Sequence, residues 1–197
     1  MVEIILIRHA STTWSGHRYC GRSDPPLSAA GRAEAAGLAD RLAPSLAPGM
    51  RLVTSPSRRA VATAEAIATA MGGRPMERDE RWQEIDFGRA EGRTFDELRA
   101  IAPATAAAIL AGATDVDWPG GETFASVAAR VAAALRDLAG IRGPVAVVTH
   151  AGPILHALAL ANERPIRASD LLGPATAVRL AMPVGTVPGS PVLPSRS

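Results

Sequence analysis

The chain has 197 residues, 47% apolar and 20% charged, the balance of a globular protein long enough to bury a substantial core. Its formal net charge is +2 and its pI about 9.4 because its Lys+Arg total is all arginine, and those arginines form no run that would favour a nucleic-acid or membrane-surface partner. The missing lysine excludes a P-loop and a Schiff-base amine, and the single Cys20 excludes an internal disulfide or a cysteine-rich metal site.

Val2 to Arg8 reads as a buried strand. Ser28 caps a predicted helix that runs to about Leu42, and Arg51 to Ser55 is a second short strand. Ser55 and Pro56 are expected as N-cap and first residue of an alanine-rich helix to about Met71. Thr94 and Glu97 form a predicted capping box. A further helix is expected from near Thr123 to about Leu138, then a buried strand from Pro144 to His150, with a helix opening at Gly152-Pro153. Val178 to Met182 is expected as a last strand. Strands alternating with helices predict an α/β three-layer sandwich, with a mainly parallel central sheet and helices on both faces. One domain is expected over residues 1–183, followed by a Pro/Ser/Gly-rich tail over 184–197. No apolar run approaches the roughly 20 residues that span a bilayer, and the N-terminus carries no signal-peptide pattern, so the cytoplasm is the expected compartment. The Ala- and Arg-rich composition suggests a GC-rich bacterial genome.

Two strands share one grammar: "IILIRH" and "VAVVTH" each end a buried apolar run with histidine. Carboxyl ends of parallel strands line one edge of a sheet, and ligands bind in the crevice there. Neighbouring strands would bring His9 and His150 to the same crevice, whereas the plainer reading makes each histidine a backbone-bonded strand end. "TSPSRRAVATAE" places Arg58 and Arg59 in the first turn of a helix, where the dipole disfavours a cation unless an anion lies between them. The alternative there is a solvated arginine pair. His9, His150, Arg8 and one of Arg58 or Arg59 together describe a pocket for a phosphoryl dianion, matched by the planar arginine fork. A metal site finds no support in the sequence: no HExxH motif and no carboxylate pair at ligand spacing accompany the histidines.

These residues lie in motifs that resemble those of the histidine phosphatases of the phosphoglycerate-mutase-like superfamily. "LIRHAST" resembles R-H-G-x-T, and "GRSDPPLSAAGRAEA" resembles D-x-P-L-x-x-x-G-x-x-Q-A. "TSPSRRAVATAE" is similar to S-x-L-x-R-A-x-Q-T-A, "EIDFGRAEG" to E-x-x-F-G-x-W-E-G, and "VTHAGPI" to V-x-H-G-G-x-I. "PGGETFASVAARV" is similar to the P-G-G-E-S segment of the smaller phosphatases. The resemblance runs in order from Ile4 to Ile154 and implies a role for each matching residue. His9 would be the nucleophile that becomes phosphohistidine. Arg8, Arg59 and His150 would hold the phosphoryl oxygens, and Glu84, rather than Glu91, would be the general acid. Arg59 rather than Arg58 holds the motif position, because it directly precedes Ala60. Ser15, Cys20, Gly21 and Ala151 fall at substrate-binding positions of the pattern. The sequence departs from it at Ala10 for glycine, Ser11 for glutamate, Ser15 for asparagine and Ala151 for glycine.

The resemblance implies no metal and no cofactor, a small-molecule phosphate ester as substrate and inorganic phosphate as product. The leading expectation is a metal-independent phosphomonoesterase. Its motifs are most similar to those of α-ribazole 5′-phosphate phosphatase, which the broad-specificity sugar phosphatases largely share. Two alternatives stand beside it: phosphoryl transfer of the phosphoglycerate mutase type, and a non-catalytic phosphate-binding protein that works through partner contacts. No oligomeric state follows from the sequence.

Overall fold

A computed structural model describes residues 1–47 and 49–183. The expected tail over 184–197 therefore lies outside the described residues.

Five strands form one sheet in the order β3-β2-β4-β1-β5. They are β1 (Val2–Arg8), β2 (Arg51–Thr54), β3 (Met76–Arg78), β4 (Val145–Thr149) and β5 (Ala177–Met182). β1 pairs in parallel with β4 in a register that sets Ile4 against Val145 and Arg8 against Thr149. β2 runs parallel to both β4 and β3, while β5 closes the far edge antiparallel to β1. The mainly parallel sheet expected from the sequence is thus present, with one antiparallel edge.

β1 and β4 lack polar alternation because helices cover both their faces. Ile4, Leu6, Val145 and Val147 pack against α5 (Phe124–Ala139) and α6 (Ala151–Ala161). Ile5, Ile7, Ala146 and Val148 face the other way, onto α1 (Ala29–Leu42) and α2 (Arg58–Ala70). The connection after β1 therefore leaves on one face and the connection after β4 on the opposite face. Adjacent strands with diverging connections open a crevice at their carboxyl ends, the usual ligand position in such sheets. Two short helices, α3 (Phe95–Ile101) and α4 (Pro103–Leu110), form a small satellite core with Tyr19, Phe87 and Trp118.

The caps explain several boundaries. Ser28 accepts from Gly31 N–H and opens α1, Thr123 accepts from Ser126 N–H and opens α5, and Thr94 with Glu97 closes the expected capping box on α3. α2 corrects the sequence reading. It starts at Arg58 with Ser57 as N-cap, not at Ser55-Pro56, and Ser57 makes no side-chain cap bond. The serine hydroxyls at 55 and 57 instead approach His150 Nε2, at 2.8 and 3.2 Å. Asp24 supplies the missing acceptor from outside the helix, 2.8 Å from Arg58 N–H. The sequence reading did not foresee β3, a three-residue edge strand, or α4, which opens on Pro103.

Candidate active site

β1 and β4 deliver their terminal residues side by side. The imidazoles of His9 and His150 lie 5.0 Å apart between centroids, edge to face. His9 N–H is tied to Thr149 C=O at 2.9 Å, so the two strand ends share one ladder up to the site. His9 Nδ1 sits 2.7 Å from Ala10 C=O, which fixes Nδ1 as the protonated donor and leaves Nε2 with its lone pair. Burial, reinforced by the charges of Arg59 and Arg8, lowers the His9 pKa to about 3. The ring is neutral at ordinary pH.

His150 is wholly buried, and its pKa is likewise held well below the usual value by burial, then by Arg59 and by His9. Its Nε2 has the hydroxyls of Ser55 and Ser57 in reach, while Nδ1 has no partner among the described residues. A hydroxyl donating to Nε2 places the proton on Nδ1, a buried donor without an acceptor.

Arg59 is fully buried and Arg58 exposed, which separates the two arginines as the motif position does. Arg59 donates from Nη1 to Ser23 C=O at 2.8 Å and from Nη2 to Gly21 C=O at 2.8 Å and Cys20 C=O at 3.3 Å. Asp24 Oδ1 lies 3.8 Å from Nη1. Arg59 Nε is buried and unpaired among the described residues, and so is Arg8 Nε. Arg8 otherwise donates to Leu172 C=O. Burial lowers the Arg8 pKa, opposed by the nearby Glu84.

Glu84 reaches the site from the long connection between β3 and β4. It is 7% exposed, and Oε1 accepts from Ile85 N–H and Gly152 N–H, both at 3.0 Å. Burial raises its pKa above the ordinary carboxyl value, against the opposing pull of those hydrogen bonds and of Arg59 and Arg8. Gly152 is the residue that the sequence reading passed over here. A Cβ at 152 would stand 2.5 Å from Glu84 Oε1 and 2.7 Å from the Ile85 side chain, so only glycine lets α6 present its N–H to the carboxylate. The "HAGPI" segment carried that signal.

The four positions expected to bind substrate fare differently. Gly21 and Cys20 lie on the loop that holds Arg59, and a Cβ at Gly21 would meet Ile85 O at 2.0 Å. Burial raises the Cys20 thiol pKa to about 11, so it stays protonated. Ala151 opens α6 directly after His150, its N-cap. The Ser15 hydroxyl closes a turn, accepting from Thr12 N–H at 2.9 Å and lying 3.3 Å from the Thr12 hydroxyl. Two departures from the family pattern have local explanations. Ala10 is wholly buried in the core formed with α1 and α2, and Ser11 bonds through both N–H and hydroxyl to Glu34 on α1, at 2.9 and 3.0 Å.

Glu91 supports the site from behind. Its carboxylate accepts from the N–H groups of Gly21, Arg22, Ser23 and Phe87 and from the Ser23 hydroxyl, at 3.2, 2.9, 3.1, 3.2 and 2.7 Å. The same loop offers its carbonyls to Arg59. A carboxylate on the N–H side and a guanidinium on the C=O side thus hold the loop between opposite charges. Nothing in the residue types of the loop announces this, because the bonds are to backbone.

Among the described residues no group of three or more His, Cys, Asp or Glu side chains is placed to hold a metal ion, and no helix is long and apolar enough to cross a membrane.

Residues 4–180 match the family model described as histidine phosphatase superfamily (branch 1). A probable phosphoglycerate mutase GpmB of Salmonella paratyphi C is 35% identical over 68% of this chain. The phosphoglycerate mutase-like protein 4 of Arabidopsis thaliana is 33% identical over 77% of it. The chain spans 62% and 67% of those two relatives. Among solved structures, the mycobacterial glucosyl-3-phosphoglycerate phosphatase superposes with a TM-score of 0.78 at 28% identity, covering 90% of this chain and 88% of that one. YhfR of Bacillus stearothermophilus gives 0.81 at 28% identity, covering 94% of each.

Proposed function

Because the chain belongs to the histidine phosphatase superfamily (branch 1), we propose that it hydrolyses small-molecule phosphate monoesters through a phosphohistidine at His9, without a metal or cofactor. The observation that carries this reading is a set of three buried N–H donors that lack acceptors among the described residues, Arg8 Nε, Arg59 Nε and His150 Nδ1, beside a neutral imidazole. Buried donors are expensive to leave unpaired, and a phosphoryl group brings the oxygens they lack.

In this mechanism His9 Nε2 attacks phosphorus with its lone pair, forming the P–N bond as the P–O bond to the alcohol breaks. Fixed donors on Arg8, Arg59 and His150 stabilise the charge on the equatorial oxygens. Glu84, whose carboxyl is made easier to protonate by burial, gives its proton to the leaving oxygen. The resulting carboxylate takes a proton from water, whose oxygen attacks phosphorus and frees His9 and inorganic phosphate. α-Ribazole 5′-phosphate, whose phosphatase the motifs most resemble, is a candidate substrate, and the cytoplasm the proposed compartment. The relatives named phosphoglycerate mutases keep phosphoryl transfer as the second reading.

The test is turnover of p-nitrophenyl phosphate by the full chain, with and without EDTA. Activity that survives EDTA and vanishes in His9→Ala is expected. Loss in EDTA with recovery on adding zinc or magnesium would sink the mechanism.

A further inference from the structure

Beside the phosphate site lies a second cavity of about 400 Å³, within the size range of small-ligand pockets. Its wall is almost entirely apolar and strongly aromatic, with Tyr19, Trp118, Phe124, Ile109, Val116 and Leu155 among its residues. Tyr19 and Trp118 meet edge to face at 5.1 Å, and Phe87 packs on Trp118 at 4.4 Å, so the aromatic wall is braced from behind. Arg167, an exposed residue, is the sole lining residue with a formal charge. His156 also lines it and is kept neutral by burial.

Three separate segments carry the cavity wall to within one residue of the site. Tyr19 precedes Cys20, whose carbonyl binds Arg59; Ile85 follows Glu84; Leu171 precedes Leu172, whose carbonyl binds Arg8. Neighbouring Cα atoms are about 3.8 Å apart. At the second of these junctions the approach is direct: a Cβ at Gly152 would lie 2.5 Å from Glu84 Oε1 and 2.7 Å from Ile85 Cδ1, so the apolar wall comes within reach of the proposed acid.

Building on the phosphatase reading, we propose that the cavity receives the organic part of the ester, and that the substrate is a phosphate monoester whose alcohol carries a neutral, ring-bearing apolar group. A carboxylate-bearing alcohol such as glycerate is disfavoured, because the one cation on the wall, Arg167, faces solvent, where an ion pair contributes little. A carboxylate drawn into this wall would lose its water and meet no buried cation, since Arg8 and Arg59 are committed to carbonyls and to the phosphoryl group. An aromatic ring finds the faces and edges of Tyr19, Trp118 and Phe124. A cavity of about 150 Å³ already holds benzene, so one or two rings fit in this volume.

The test uses the full chain with three alkyl esters: 3-phenylpropyl phosphate, ethyl phosphate and 3-phosphoglycerate. kcat/KM for the phenylpropyl ester is expected to exceed both others by roughly 10-fold or more, the effect of burying one ring. Val116→Asp should erase that advantage, and an unfolding transition by circular dichroism as cooperative as the parent's shows that the variant is folded. Calorimetry with 3-phenylpropylphosphonate against 3-phosphonopropanoate reads binding without turnover. Equal kcat/KM for the three esters, or a preference for phosphoglycerate, overturns the inference and leaves the phosphatase reading standing. Preferential binding of the phenyl phosphonate without turnover of any ester supports the cavity assignment and overturns the phosphatase reading. Neither turnover nor phosphonate binding overturns both.

Discussion

Glu91→Gln tests whether the loop between carboxylate and guanidinium governs the site. The substitution keeps the shape and replaces one oxygen by an NH2 group. Oε2 faces three donors and Oε1 faces two, so the amide nitrogen is least costly on the Oε1 side, opposite Arg22 N–H and Phe87 N–H. Each donor left facing a donor costs about 1–3 kcal/mol, with the lower half expected where water can reach, as at the exposed Arg22. The sum is about 2–4 kcal/mol, which for a chain of this size lowers the melting temperature by roughly 5–15 °C. The same loosening frees the carbonyls of Cys20, Gly21 and Ser23 that fix Arg59, so kcat/KM should fall by about 10-fold or more through lost charge stabilisation. Calorimetric melting and steady-state assays on an alkyl phosphate and on p-nitrophenyl phosphate measure the two effects. The loss should be the same for both esters, since Glu91 supplies no proton. Glu84→Gln should behave differently and depress the alkyl ester more, by a factor within the 10² to 10⁴ range typical of acid–base catalysis. An unchanged melting temperature in Glu91→Gln would refute the loop argument. Dependence on the leaving group at Glu91 but not at Glu84 would mean that the wrong carboxylate has been named as the acid.

Arg59→Ala should cost far more kcat/KM than Arg58→Ala, because Arg59 is buried against the loop while Arg58 faces solvent; equal losses would undo that assignment. In pH profiles of kcat/KM, corrected for ionisation of the ester, the acid limb should fall near pH 3, where His9 gains its proton, and not near 6.5. The alkaline limb, set by the raised carboxyl pKa of Glu84, should disappear in Glu84→Gln, and its persistence there would assign it to another group. Phosphate should raise the melting temperature relative to chloride at equal ionic strength, by about 5–10 °C at 100 times its Kd. No difference between the two salts would mean that the unpaired donors do not bind the anion.

The parts of the fold legible in the sequence are those whose causes are local. β1 from Ile4 to Ile7 and β4 from Val145 to Val148 are apolar without alternation because both faces are covered, and the strands fall where those runs predict. Ser28, Thr94 and Thr123 cap their helices with their own hydroxyls, so those boundaries could be read directly. α2 was misplaced because its cap comes from Asp24, 34 positions earlier, while the local serines turn to His150. β3 has only three residues, all of them half-buried or exposed, and such a segment has no pattern to read. The candidate site divides along the same line. Of the side chains proposed to react, Arg8, His9, Arg59 and His150 stand at strand and helix ends within recognisable motifs, whereas Glu91 acts on backbone N–H groups that no residue type advertises.

That division bears on how the site withstands its own charge. Two guanidinium groups lie beside two imidazoles in a largely desolvated crevice, where burial raises the Glu84 pKa and Asp24 Oδ1 lies 3.8 Å from Arg59 Nη1. A protonated His9 would repel both arginines, so burial first, and then the charges proposed to attract phosphate, keep the proposed nucleophile neutral. The arginines in turn need acceptors that do not neutralise them. Carbonyl dipoles meet that need: they accept from Nη1 and Nη2 of Arg59 and from Nη1 of Arg8 and leave the positive charge available to the proposed phosphoryl group. Asp24 comes no closer to Arg59 than 3.8 Å, beyond hydrogen-bond distance, and so offsets that charge only in part. Glu91 instead reaches it only through peptide units, which orient the loop while keeping the negative charge on its far side.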